Sequence, residues 1–191
     1  MQKVRQVRHE GVLARVRADV AHYARAEGAL PSLGFTLRMV LLTHGFQFVL
    51  HRRIGEALQA IPLAGRPLRR IWWWWTCRRF SSEIAIGAEV GGGLYIPHPF
   101  GIVIGAGRIG RDVAFQQNVT VGARDVGANG VATIGDGAYL ASGAVIVGAI
   151  SVGAGARIGA NSVVLTDVPA GCTAVGAPAR VLAPRTRGAA R

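Results

Sequence analysis

Four of the five histidines, His9, His22, His44 and His51, fall in the first third of the chain, and His98 stands by itself in a segment of different character. Imidazole titrates near neutrality, so a held histidine can take a proton from a hydroxyl and return it to a leaving group. Pro97 and Pro99 flank His98 and restrict the backbone that carries it. A lone histidine is more often structural or superficial; here the reading shifts toward chemistry because His98 occupies a break in a repeat. Glu83 could orient the imidazole or bind an acceptor hydroxyl, and it could equally be an exposed turn carboxylate. Gln116 and Gln117 come roughly one coil later, and one of them could face the same site.

Other chemistries fail on inventory. A zinc centre needs several imidazole or thiolate ligands, and the second half of the chain offers one histidine. No G-x-S-x-G elbow is present. Gly91-Gly92-Gly93 is not followed by a Lys-Ser/Thr pair, so it is no phosphate-binding loop. Cys77 and Cys172 are too few for a disulfide framework.

The element that must position His98 is a six-residue repeat. Ile84, Val90 and Ile96 are spaced by six; so are Val103, Ile109, Phe115 and Val121; so are Ile134, Leu140, Ile146, Val152, Ile158 and Val164. Glycine or alanine follows many of them. A six-residue unit supplies one short strand and one turn, with the aliphatic side chain inward and a small residue near the turn. Three units close a triangular coil, and stacked coils share one core. The spacing therefore predicts a mainly β chain, a parallel β-helix, over residues 81–182. It breaks twice. Ile96 to Val103 is a step of seven, which locates a bulge at Pro97–Gly101. Val121 to Ile134 is a step of thirteen, and the Gly, Ala, Asn and Asp of residues 123–131 read as a loop leaving the helix. Function in such repeats concentrates at interruptions.

Residues 1–80 form a second unit, predicted helical: one helix over Arg15–Glu27, dense apolar helical spacing over Phe35–Leu58 (Leu37, Leu41, Phe48, Ile54 and Leu58), and a basic helix or turn over Leu63–Phe80. Residues 183–191 are a basic tail. The net charge of +12 is uneven: residues 1–80 hold 14 Lys/Arg against 4 Asp/Glu, and the remainder 8 against 6. A basic half suits an anionic partner, although solvated arginine-rich helices explain it equally. No nucleic-acid recognition motif accompanies the charge, so nucleic acid is not expected as a partner. Trp72–Trp75, set between Arg69-Arg70 and Arg78-Arg79, would suit peripheral contact with an anionic membrane. The competing reading is a buried junction between the two halves. The most apolar stretch, Phe35–Leu50, is too short for a membrane span. No secretory signal pattern stands at the N-terminus, so the expected location is cytoplasmic, at the inner face of the membrane if the tryptophans act there.

Residues 84–182 resemble the hexapeptide-repeat acyltransferases, whose fold is a left-handed parallel β-helix. Glu83–Gly122 is similar to the serine acetyltransferase branch; Ile96-Pro-His-Pro-Phe-Gly-Ile-Val-Ile-Gly105 resembles its segment around the catalytic histidine. Val175-Gly-Ala-Pro-Ala-Arg180-Val resembles the family's closing motif, and residues 45–55 its preceding helical domain. The resemblance implies acetyl-CoA as co-substrate, no metal, and a homotrimer with sites between subunits, with pairing of trimers left open. It assigns His98 as general base. It places Ser142, Ala160 and Arg180 where the family contacts CoA, Arg180 suiting a phosphate, and Glu83 and Glu27 where the family has substrate-binding aspartates. Ser142 and Ala160 read equally as turn residues.

This chain departs from that branch in three places. Gly130 and Val131 stand where serine acetyltransferases carry an Arg-His pair, and Pro97 where they carry an acid. Residues 129–135 look more like relatives from exopolysaccharide and colanic-acid clusters. These departures set the expected acceptor as a sugar or polysaccharide-precursor hydroxyl. The alternatives are a serine O-acetyltransferase of cysteine biosynthesis and, outside enzymes, a β-helix scaffold.

Overall fold

The computed structural model describes residues 10–125 and 130–183. Among the described residues four helices come first: α1 (Val12–Ala26), α2 (Leu33–Leu42), α3 (His44–Leu58) and α4 (Gly65–Phe80). Ser32 caps α2, its hydroxyl accepting from the Phe35 amide at 3.1 Å, which satisfies one of the free donors of the first turn. The run predicted as one apolar helix over residues 35–58 is two helices, bent by 92° about Thr43. Among the described residues no single helix is long and apolar enough to cross a membrane.

Fourteen short strands follow among the described residues, arranged as three sheets. The first face stacks β1 (Glu83–Ile84), β3 (Val103–Ile104), β6 (Thr120–Gly122), β9 (Val145–Val147) and β12 (Val163–Val164). The second stacks β2 (Glu89–Val90), β4 (Arg108–Ile109), β7 (Thr133–Ile134) and β10 (Ser151–Val152). The third stacks β5 (Ala114–Phe115), β8 (Tyr139–Leu140), β11 (Arg157–Ile158), β13 (Thr173–Gly176) and β14 (Ala179–Leu182). Every pairing is parallel except the closing β13–β14 hairpin. This is a left-handed parallel β-helix.

Twelve of the thirteen aliphatic and aromatic positions of the six-residue pattern are buried in one continuous core. The thirteenth is a correction. Val103 faces outward, 46% exposed, and its neighbour Ile104 fills the core instead. The step from Ile96 is thus eight residues, and the step on to Ile109 is five. Successive strand residues point to opposite faces, so two adjacent β-branched residues leave the inward one undecided until the turn is built. The second interruption is also larger than the spacing suggests. β6 lies on the first face and β7 on the second, so thirteen residues make a crossing that elsewhere takes about six. Residues 126–129 of that excursion, and 184–191 of the basic tail, lie outside the described residues.

The helices close the open end of the prism. Phe48, Val49 and Phe80 join the β-helix core directly. Polar docking is carried by two adjacent arginines of α3. Arg53 donates to both carboxylate oxygens of Asp19 at 2.8 and 3.1 Å and to the carbonyls of Val90 and Gly91 at 3.2 and 2.6 Å. Arg52 donates to the carbonyls of Ala85 and Ala88 at 2.9 and 2.6 Å and to Glu56. Asp19 also accepts from the Leu94 amide at 2.8 Å. Burial acts to raise the Glu56 carboxyl, but the Arg53 and Arg52 guanidiniums outweigh it and hold it below its ordinary value. Leu37 and Leu41, expected inside on helical spacing, are exposed, whereas Arg52 and Arg53 are buried. The carbonyls of the first coil have no preceding strand to pair with, and buried acceptors need donors, so arginine rather than leucine serves at this seam.

Candidate active site

His98 sits at the corner where the third face of the first coil turns into the first face of the second, and its side chain is exposed. Its ring makes no hydrogen bond or ion pair among the described residues. The backbone around it is braced instead. Tyr23 of α1 donates its hydroxyl to the Ile96 carbonyl at 2.7 Å and accepts from the Ile96 amide at 3.1 Å. Ser82 donates to the Pro99 carbonyl at 3.1 Å and accepts from the Ile102 amide at 3.0 Å. On the remaining side α3 presses its first turn against the bulge. A side-chain carbon at Gly45 would lie 1.9 Å from the Ile96 oxygen, so only glycine allows this approach. The ring of His44 packs 5.4 Å from that of Phe100 and 5.0 Å from that of Phe80. Burial, and secondarily Arg79, lower the His44 imidazole, favouring the neutral form that accepts from Arg79 at 3.2 Å.

The same corner repeats along the prism. The Gly101 amide donates to Ser81, Asn118 to Phe100, Gly143 to Gln117 and Asn161 to Ser142, all at 2.8–3.1 Å. Ser81, Gly101, Asn118, Gly143 and Asn161 all have left-handed backbone, one per coil, which lets each turn stack on the next. Phe100, Gln117, Ser142 and Ala160, the residues just before these turns, therefore stack in consecutive coils along one edge. Strands in a sheet lie about 4.8 Å apart, so the three steps from Phe100 to Ala160 span about 14 Å. His98, Gln117, Ser142 and Ala160, singled out separately in the sequence, are brought to that single edge. Among the described residues, the buried Gln117 side-chain oxygen has no hydrogen-bond partner. Gln116 is half-buried on the same turn.

Three further candidates lie differently. Glu83 directly follows the brace residue Ser82, at the foot of the bulge, but it makes no hydrogen bond to His98 among the described residues. Its carboxylate acts on Cys77: burial first, then Glu83, push that thiol up to about 11. Glu27 caps the end of α1, where it is ion-paired with Arg38. Arg180 is exposed on β14, beyond the last coil. No group of three or more candidate metal-binding side chains occurs among the described residues. Tyr23, Gly45 and Ser82 were not foreseen, because no local pattern marks a side chain that acts on backbone 17 to 73 residues away. The glycine immediately after His44, at the start of an apolar helix, was the one available signal.

No protein-family model matches the chain. It is 38% identical over 173 residues to the serine acetyltransferase of Mycobacterium tuberculosis, covering 90% of this chain and 73% of that one. With the Helicobacter pylori enzyme it is 45% identical over 102 residues, 52% of this chain and 60% of the relative. Across the Helicobacter, Synechococcus and Buchnera relatives it spans 39–60% of their length. The Neisseria gonorrhoeae serine acetyltransferase structure superimposes with a TM-score of 0.80 at 30% identity, covering 93% of this chain and 68% of that one. A soybean serine acetyltransferase complexed with serine gives 0.78 at 32% identity, covering 90% and 69%. A serine acetyltransferase in complex with CoA gives 0.77 at 30%, covering 90% and 70%. These relatives are serine acetyltransferases and not the exopolysaccharide- and colanic-acid-type enzymes whose sequence residues 129–135 resemble, which corrects the expectation of a likeness to that type. With the repeat, the helical cap and most of the M. tuberculosis relative's length shared, the chain belongs to the serine acetyltransferase family.

Proposed function

We propose that the protein is an acetyl-CoA-dependent O-acetyltransferase whose acceptor is the hydroxyl of serine. The observation that carries this reading is the edge itself: the exposed ring of His98, on a braced backbone and without a hydrogen bond among the described residues, stands at the head of the edge along which Phe100, Gln117, Ser142 and Ala160 stack. In the proposed reaction His98 takes the hydroxyl proton as the oxygen attacks the thioester carbonyl. The tetrahedral intermediate collapses with cleavage of the carbon–sulfur bond, and the imidazolium returns the proton to the CoA thiolate. The products are O-acetylserine and CoA, and no covalent enzyme intermediate is needed. Ser142 and Ala160 flank the acetyl-CoA path along the edge, Arg180 meets a CoA phosphate, and Gln117 stands on the acceptor side. Glu83 and Gln116 line the acceptor side. Glu27 joins only if the acceptor displaces Arg38.

The exposed ring of His98 and the outward Val103 of β3 support a homotrimer in which a neighbouring subunit closes the site. Acceptor specificity has one competing reading. Val131, where the branch carries histidine, packs against the β-helix core, and a side-chain carbon added at Gly105 or Gly107 would lie 3.1–3.3 Å from its methyl carbons. That loop position therefore brings no charge to an acceptor carboxylate, which favours a saccharide hydroxyl. An acceptor screen with acetyl-CoA, following thiol release, separates the two. Serine acetylated well above every saccharide supports the proposal, and saccharide turnover without serine turnover replaces it. No transfer to any hydroxyl, with no CoA binding, would leave a scaffold.

A further inference from the structure

The tryptophan run does not act as a unit. Trp72 donates its indole N–H to the His51 carbonyl at 2.8 Å, and Trp73 to the Ile84 carbonyl at 3.0 Å, so both are tied to the junction between the helices and the first coil. Trp74 turns outward, 54% exposed; Trp75 lies over the His51 ring, 5.0 Å between centroids, and still leaves 43% exposed, and Ile71 beside them is 63% exposed. Ile71, Trp74, Trp75 and Arg78 fall on consecutive turns of one face of α4, spaced by three, one and three residues. The Arg78 guanidinium lies over the Trp74 ring, 5.0 Å from its centroid.

The charge on this segment has one sign. From residue 57 to residue 82 there are five arginines and no acidic residue. At the other end of α4, Arg66, Arg69 and Arg70 border an open groove of about 420 Å³. Apolar and indole side chains flanked by arginines that make no ion pair among the described residues match the boundary of a bilayer that carries anionic headgroups: the rings enter the interface and the arginines reach phosphate. A second copy of the same face fits poorly, because it would bring like charges together.

We infer that the outer face of α4, centred on Ile71, Trp74, Trp75 and Arg78, docks the enzyme onto an anionic membrane surface with the helix lying in the plane of the interface. This docking is independent of which hydroxyl is acetylated.

The test is co-sedimentation of the full chain with vesicles of phosphatidylcholine, with and without phosphatidylglycerol, at low and high salt. The wild type should pellet with anionic vesicles at low salt, largely dissociate at high salt and ignore neutral vesicles. Trp74→Ser with Trp75→Ser should lower the partition at least about tenfold, and Arg78→Glu should lower it while weakening its salt dependence. Both variants should keep the wild-type circular dichroism and acetyl transfer in solution. A wild type that stays in the supernatant with anionic vesicles at low salt overturns the inference, as does a double-tryptophan variant that pellets as well as the wild type. A variant that instead falls to a smaller assembly in solution assigns the face to contact between copies and also overturns it.

Discussion

Gly45→Ala tests whether the helical unit sets the position of His98. The added methyl would lie 1.9 Å from the Ile96 oxygen, 2.7 Å from the Pro97 oxygen and 2.9 Å from the Pro97 carbonyl carbon. Ordinary contact begins at 3.4 Å, so α3 and the bulge must separate by about 1.5 Å at the closest point. All three neighbours are backbone, so no side-chain rotation relieves the clash. Overpacking of this kind costs about 1–3 kcal/mol. The separation also strains the two hydrogen bonds that Tyr23 makes to Ile96, each contributing about 1 kcal/mol net. The expected loss in unfolding free energy is therefore about 2–4 kcal/mol. Because a displacement of about 1 Å at a catalytic group can cost about 10²-fold in rate, turnover per folded molecule should fall by a similar factor. Urea unfolding measures the first quantity and initial rates of thiol release at saturating acetyl-CoA the second. Gly34→Ala in α2 is the control. Nothing lies within 4 Å of its added carbon, so it should gain about 0.5–1 kcal/mol, as glycine-to-alanine changes in helices do. If Gly45→Ala unfolds and turns over like the wild type, α3 does not hold the bulge and the positioning argument is wrong.

The remaining predictions concern the base, the buried seam and acid stability. His98→Ala should lower turnover by about 10²–10⁴-fold while leaving the thermal midpoint nearly unchanged, since the exposed ring makes no hydrogen bond or ion pair among the described residues; full activity would remove His98 from the mechanism. Arg53→Met should cost about 3–5 kcal/mol in chemical denaturation, because it strands the Asp19 carboxylate and the Val90 and Gly91 carbonyls in the interior; a loss under about 1 kcal/mol would mean that the seam relaxes or admits water. The Glu56 carboxyl is held below its ordinary value of 4.5, so the folded state binds its proton less tightly than the unfolded state. Its contribution is complete above pH 4.5 and is lost as the pH falls below it. Glu56→Gln should flatten that acid limb of the urea midpoint against pH, and an unchanged limb would show that other carboxylates govern it.

Much of this architecture was legible from spacing alone. A side chain that recurs every sixth residue, with a small residue after it, has few ways to be buried other than a three-sided coil, so the β-helix and its core followed from local pattern. The bulge at His98 was legible for the same reason, since one skipped interval stands out against a regular beat. Which of Val103 and Ile104 turns inward was not, because the two are chemically alike and only the geometry of the turn distinguishes them. Nor was the fate of the tryptophans. Four identical residues in a row differ only in azimuth around α4: the carbonyls of His51 and Ile84 hold the indole N–H groups of Trp72 and Trp73, while Trp75 lies over the His51 ring with one side exposed and Trp74 faces outward. The burial of Arg52 and Arg53 in place of Leu37 and Leu41 is likewise tertiary: unpaired carbonyls at the end of a solenoid call for donors, and nothing local to residues 52 and 53 says that those carbonyls will be there. The sequence by itself determined the repeat, its interruption and the residue placed in it. Tertiary structure decided what holds that residue in place, because the braces come from backbone contacts between segments far apart in the chain.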